Sequence, residues 1–301
     1  MVRSVVAGLD GLSESRAAAE WAAREATLRG ATLKILHVWE PMPEPLAHAR
    51  LLGTETEAHW RERVPREAAD SIRLRHPGLD VTMEQISGRA DEVLLEAAED
   101  ADLLVLGSRA MSGVGGFLVG SAGHAVIAHT EVPVVLVRAG EQAVDEHEPD
   151  PAGLPSTTTR FRPVVVGVDL SGSADAVLAF AFEAADRRNT SLKVVYGWSL
   201  PPYYAYGLAA GPEWYEEILR EETARLTGAL GPWQQKYPSV EVIAESRLGS
   251  AADHLVDAAR EASLVVVGRR IRRHSFGVQI GSVTSAVLHH ADAPVAVVAH
   301  E

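Results

Sequence analysis

The chain of 301 residues contains no cysteine, so no disulfide framework, thiolate nucleophile or cysteine metal site can exist in it. It also lacks a basic excess: 28 Lys and Arg stand against 41 Asp and Glu, a formal charge of −13. That balance denies the chain as a whole the electrostatic footprint that binds a nucleic-acid backbone, and nucleic acid is not expected as a partner. No run approaches the roughly 18 apolar residues of a membrane span. The N-terminal MVRSVVAGLDG has too short an apolar stretch for a signal peptide. The expectation is a cytoplasmic protein with no membrane partner. Enzyme signatures are missing too: there is no H-E-x-x-H, no G-x-S-x-G, and no G-x-G-x-x-G after the first apolar run. GGFLVGS (115–121) has the glycine spacing of a P-loop without its lysine. Twelve histidines include no ligand-like pair, since His124 and His129 are five apart on a helical stretch and His289 and His290 are adjacent and diverge. No catalytic residue and no metal site are assigned.

What is present is a repeat. VVAGLD (5–10) recurs as VVVGVD (164–169) and TLKILHVW (32–39) as SLKVVYGW (191–198), both at an offset of 159. DLLVLGSR (102–109) recurs as SLVVVGRR (263–270) and EVPVVLV (131–137) as DAPVAVV (292–298), both at 161. The period is that of a domain, not of a solenoid unit. Between the copies, AGEQAVDEHEPDPAGLPSTTTRFR (139–162) is acidic and then rich in Pro, Ser and Thr, with nothing apolar to bury, which reads as a linker. The expected division is a first domain over 1–140, a linker over 141–160 and a second domain over 161–301.

Each copy alternates short β-branched runs with helical patterns. In the first copy, strands are expected near 3–9, 32–39, 80–86, 102–107 and 133–138, and helices near 13–29, 55–75, 89–99 and 120–130. In RADEVLLEAAED (89–100), Ala90, Val93, Leu94, Ala97 and Ala98 share one helical face. LLVLG and PVVLV are apolar throughout, as strands are when helices cover both faces of a sheet. The fold class is therefore α/β: two doubly wound, Rossmann-like domains in tandem, each a five-stranded parallel sheet in the order 3-2-1-4-5. Ligands of such sheets sit beyond the carboxyl ends of the strands.

One segment lies at such an end, LGSRAMSGVGGFLVGSAG (106–123), with six glycines in eighteen positions. Glycine serves where the chain turns through positive φ or a ligand meets the backbone closely. The segment ends with Gly120-Ser121 opening a helix, whose free N–H groups and dipole suit an anion such as phosphate, with Arg109 available to it; Ser121 as a plain N-cap is the structural alternative. Asp10 and Asp169 end the first strand of each copy, two residues after Gly8 and Gly167. A carboxylate there can accept ribose hydroxyls or cap the following helix. In the second copy Arg269, Arg270, Arg272 and Arg273 form a positive cluster suited to phosphates, or a solvated or inter-domain patch. PPYYAYG (201–207) is an aromatic loop that could cover a base or merely pack, and His37 and Tyr196 hold equivalent places in the second strand, where packing or an edge contact is the expected role.

Over essentially its whole length the chain resembles a tandem universal stress protein. Nucleotide-binding members of that family carry G-x2-G-x9-G-S/T after the fourth strand, an Asp ending the first strand, and an apolar residue ending the second, whose backbone meets adenine. Here the frame reads Gly107-x2-Ala110-x9-Gly120-Ser121, enclosing Gly113, and Gly268-x2-Ile271-x9-Gly281-Ser282. The spacing is kept in both copies while the second glycine is replaced. The resemblance implies a first site of Asp10, Val38, Gly107, Ala110, Gly120 and Ser121. The second would be Asp169, Gly197, Gly268, Ile271, Gly281 and Ser282. It implies ATP as ligand, which Mg2+ can accompany, and a role as a nucleotide-dependent stress-response regulator, against the alternatives of a nucleotide-free interaction scaffold or a slow ATP hydrolase. It also implies that the last strands, PVVLVR and PVAVVA, pair within the chain across a pseudo-twofold axis, with a homodimer as a further assembly.

Overall fold

The structure, a computed structural model, describes residues 3–40, 54–110, 117–118, 120–200, 212–271 and 280–301. The chain divides into two compact units, the first ending at Gln142 and the second running from Ala143 to Glu301.

The first unit is built from β1 (Ser4–Leu9), α1 (Ser13–Arg29), β2 (Thr32–Trp39), α2 (Thr54–Arg75), β3 (Val81–Ser87), α3 (Ala90–Glu99), β4 (Leu103–Ala110), the two-residue β5 (Phe117–Leu118), α4 (Ser121–His129) and β6 (Val134–Arg138). Its sheet runs β3-β2-β1-β4-β6 with every one of these neighbours parallel. β5 turns back antiparallel on the end of β4, pairing Arg109 with Leu118 and Ala110 with Phe117. The second unit repeats the plan as β7 (Val164–Gly167), α5 (Asp175–Arg188), β8 (Leu192–Trp198), α6 (Pro212–Lys236), β9 (Val242–Leu248), α7 (Ala251–Ala259), β10 (Leu264–Arg270), α8 (Ser282–His290) and β11 (Val295–His300). Its strands run β9-β8-β7-β10-β11, again all parallel. Both units thus have the order 3-2-1-4-5, and the switch point lies between the first and fourth strands.

The central strands are buried on both faces, as their unbroken apolar runs require: Leu103 to Val105, Val134 to Val137, Val164 to Val166 and Val295 to Val298 are each at most 3% exposed. Helix α1 reaches the sheet through alanines, with Ala18, Ala19, Ala22, Ala23 and Ala26 all at or below 1% exposure around the buried Trp21. Small side chains let a helix approach a sheet closely. Its C-terminus is closed by Gly30 in the left-handed conformation (φ 59°), and Asn189 (φ 48°) does the same for α5 at the equivalent position. Asparagine is the side chain that tolerates this conformation after glycine.

From Ala143 onward the stretch between the copies has a defined course within the second unit, and none of its apolar side chains is fully buried. Half-buried Phe161 pairs with His147 in a β-bridge. Their rings lie 4.1 Å apart, and the Arg188 guanidinium sits 5.8 Å from the Phe161 ring. Asp150 Oδ1 accepts N–H bonds from Ala152 and Leu154 and so folds the Pro-Ser-Thr segment into a loop closed by that bridge.

The glycines of the repeated frame are not used as their number suggested. Gly107 and Gly268 lie inside β4 and β10, paired with Val137 and Val298, and not in a loop after the strand. Neither belongs to the glycines at positive φ. A Cβ on Gly107 would stand 2.5 Å from the carbonyl carbon of Glu14 and 2.6 Å from the nitrogen of Ser15, so glycine is there to admit the backbone of α1. A Cβ on Gly120, at φ −65°, would meet nothing within 4 Å. Gly107→Ala should therefore lower stability by about 2 kcal/mol or more, as overpacking against backbone does. Gly120→Ala should change it by less than about 1 kcal/mol, the range of cap and backbone-entropy effects. Urea midpoints of the two variants measure this, and equal midpoints would contradict it.

Candidate functional site

In each unit a cavity opens at the carboxyl ends of the first, second and fourth strands. The first, of about 490 Å³, brings together Gly8, Asp10, Val38, Gly107, Gly120 and Ser121, all named from the sequence, and adds an apolar wall of Leu36, Ala90, Leu94 and Leu106 with Glu14 and Ser15 at its rim. The second, of about 450 Å³, collects Gly167, Asp169, Gly197, Gly268, Arg270, Gly281 and Ser282, together with Tyr196, Leu255, Thr284 and His300. Volumes of this size are usual for small-molecule sites.

Local chemistry accounts for each position. The wall next to β1 exists because Gly8 has no side chain: a Cβ there would stand 2.7 Å from Leu106 Cδ2 and 3.3 Å from Leu94 Cδ2. Gly167 likewise makes room for Leu255, whose Cδ1 would be 2.5 Å from an added Cβ. Asp10 does not cap α1, whose N-cap is Leu12. Its Oδ1 instead accepts the N–H of Leu12 at 2.9 Å, an Asx turn that fixes the carboxylate at the strand end. Among the described residues its second oxygen has no hydrogen-bond partner. Val38 stands one residue past Leu9↔His37, the last pair between β1 and β2. His37 itself is buried and donates from Nδ1 to the carbonyl of Leu9 at 2.7 Å, the packing role expected of it.

Helices α4 and α8 begin at the cavities without side-chain caps. Gly120 and Gly281 are the N-caps, at φ −65° and −64°, with no side-chain cap bond. Ser121 and Ser282 are thus first-turn residues, which removes the plain N-cap role considered for Ser121. The leading N–H groups of both helices carry the positive end of the dipole into the cavities.

The replaced glycines are accommodated simply. Among the described residues Asn189 is the one non-glycine at positive φ, so Ala110 and Ile271 adopt conformations open to any side chain. Ala110 continues β4. The Ile271 N–H donates to the carbonyl of His300 at 2.7 Å, extending the β10 and β11 ladder, and Ile271 is not part of the lining of the second cavity. Gly197 has a packing reason of its own: an added Cβ would lie 2.5 Å from Cα of Ala251, where α7 lands on β8. The arginine cluster divides, with Arg269 buried and Arg270 at the second cavity. Arg272, Arg273, Gly113 and the loop 201–207 lie outside the described residues, as does the side chain of Arg109.

Three residues of the second cavity were not assigned to a site from sequence. Tyr196 is among the residues lining the cavity, and its hydroxyl donates to Glu222 Oε2 at 2.8 Å. Thr284 ties α8 to β10 by donating to the carbonyl of Gly268 at 2.7 Å. The ring of His300 fills the space beside Gly268, 2.8 Å from where a Cβ would be. Aligning the copies places Thr284 over Gly123 and His300 over Ala139, differences visible in the sequence but without meaning until the strands are side by side. Asp169 accepts the N–H of Ser171 at 2.9 Å, as Asp10 does that of Leu12, and also meets Arg270 Nη2 at 3.3 Å. Burial pushes the Asp169 carboxyl up. The hydrogen bonds from Ser171, with the charges of Arg270 and His300, outweigh it and hold the group below the usual carboxylate range.

Among the described residues no three His, Asp or Glu side chains group closely enough to hold a metal ion, and no helix is long and apolar enough to cross a membrane.

Comparison with known proteins places these features in context. The model of the universal stress protein family matches residues 1–138 and again 160–299. A universal stress protein of Mycolicibacterium smegmatis is 31% identical over 98% of this chain and 96% of its own length. One of Mycobacterium tuberculosis is 31% identical over 97% and 96%. The crystal structure of a universal stress protein from Archaeoglobus fulgidus superposes with a TM-score of 0.68 at 17% identity, covering 99% of this chain and 98% of that one, a likeness of fold.

The Tyr196 phenol is pushed up to about 12, first by burial and then by its bond to Glu222 and that carboxylate's charge. Its folded pKa lies above that of an unfolded tyrosine, near 10. The stability it contributes is therefore fully present below about pH 10 and is lost as pH rises towards about 12. Ultraviolet titration of phenolate should show a late step that shrinks by one tyrosine in Tyr196→Phe; a variant with the late step undiminished would refute the assignment.

Proposed function

The chain belongs to the universal stress protein family, with two copies of its domain, and on that premise we propose that it binds ATP at the strand ends and acts as a nucleotide-dependent stress-response regulator. The observation that carries this reading is the convergence of Gly8, Asp10, Val38, Gly120 and Ser121 on one cavity of about 490 Å³ at the switch point of the first sheet. The residues fit the ligand. The unpartnered oxygen of Asp10 accepts a ribose hydroxyl. The backbone of Val38, past the last β1 and β2 pair, meets the base edge, and Leu36 and Leu94 supply the apolar wall against which it lies. The phosphates lie at the uncapped start of α4, held by its N–H groups and the hydroxyl of Ser121. A Mg2+ ion accompanying ATP would be carried by the phosphate oxygens and water.

Gly120 provides the test, because a Cβ there would meet nothing within 4 Å among the described residues and its φ suits any residue. Gly120→Glu sets a carboxylate where the phosphates would lie. The expected result in isothermal titration is ATP binding by the wild type, loss of the first-unit event in Gly120→Glu, and about tenfold weaker binding in Asp10→Ala, the worth of one hydrogen bond to a charged group. Chromatography of the denatured protein should release adenine nucleotide. No released nucleotide together with no heat on adding ATP-Mg would overturn the proposal.

A further inference from the structure

The second cavity occupies the same place in its unit as the first does in its own. Among the described side chains the first is lined by the acids Asp10 and Glu14 and the second by Asp169 with Arg270 and His300; Arg270 repeats Arg109 of the first copy, whose side chain lies outside the described residues. Arg270, the last residue of β10, reaches back across the strand ends, its Nη2 3.3 Å from Asp169 Oδ2 and 3.4 Å from Ser171 Oγ. Asp169 Oδ1 is already engaged by the N–H of Ser171. Both oxygens of the carboxylate equivalent to Asp10 are therefore occupied, one of them by a cation. The two side chains are 49% and 61% exposed, so the pair is screened by water and exchanges readily for a stronger partner.

Two kinds of ligand meet this arrangement differently. A ribose hydroxyl is a neutral donor and competes poorly with a guanidinium that cannot lose its proton. A phosphate offers that guanidinium a charged, fork-matched acceptor, which draws it off the carboxylate and frees Asp169 for the sugar. We propose that Arg270 is the specificity-determining residue of the second unit's site: it keeps Asp169 closed to uncharged nucleosides and releases it only for ligands whose phosphates take over the guanidinium. The inference rests on reading this cavity as a nucleotide site. It makes binding at the second unit's site graded by ligand charge.

The experiment uses the full chain carrying Gly120→Glu, so that binding reports on the second unit, with ATP and adenosine as probes. In this background adenosine should bind far more weakly than ATP, and added salt should narrow the gap. Arg270→Gln should weaken ATP about tenfold and tighten adenosine, so that the ratio of the two dissociation constants falls by about tenfold or more; adenosine binding left unchanged overturns the closing of Asp169. Arg270→Lys, charged but without the fork, should fall between. Carboxyl NMR titration of Asp169 gives a reading that needs no ligand: its pKa should rise in Arg270→Gln. An unchanged ratio in Arg270→Gln, with ATP still bound, overturns the role of Arg270 alone. Absence of any ATP binding in the Gly120→Glu protein, with the Asp169 titration still responding to Arg270→Gln, overturns the nucleotide reading of the second cavity and the proposal with it.

Discussion

The approach of the α1 backbone to β4 at Gly107 is the constraint on which the first unit's strand ends depend. With less than van der Waals room for a single Cβ, the start of α1 sits on the sheet and holds Glu14 and Ser15 at the cavity rim. Gly8 acts similarly for the opposite wall, where Leu94 and Leu106 close in over the missing side chain. The glycines thus work chiefly as absences of volume. At the cavities Gly120 and Gly281 differ, since an added Cβ there would meet nothing within 4 Å among the described residues.

The second unit solves the same problem with other atoms. At Gly268 the space is taken by the ring of His300 and by Val177, while α5 begins at Asp175, later than α1 by the register of the repeat. The Asx turn at the end of the first strand is unchanged, since the N–H of Ser171 replaces that of Leu12 at the same 2.9 Å. The side chain on that turn is now a hydroxyl, and it helps to seat Arg270 over Asp169. In the second unit this frame holds a guanidinium that already occupies the carboxylate at the strand end.

Much of this was legible in the residues. The strand and helix limits read from periodicity fall within two residues of those observed in the first unit, apart from the fourth strand, which runs three residues further to Ala110. It is prolonged where β5 turns back to pair with it, through partners seven and nine residues away that no local pattern reveals. Ser121 as a cap was one reading open to the sequence, and the place of Gly120 as N-cap removes it. The place of Ile271 has no such local signal, since its N–H meets the carbonyl of His300 on the neighbouring strand.

The sequence by itself determined the α/β class, the tandem repeat and the spacing that sets an acid, glycines and a helix start at the same strand ends, because these follow from short-range periodicity and from comparing one half of the chain with the other. Tertiary structure alone decided what each glycine admits, that Tyr196, Thr284 and His300 share a cavity with Asp169, and that Arg270 already holds that carboxylate. Those facts depend on distances between residues about 15 to 130 positions apart, which are set by strand pairing and helix packing and have no local signature.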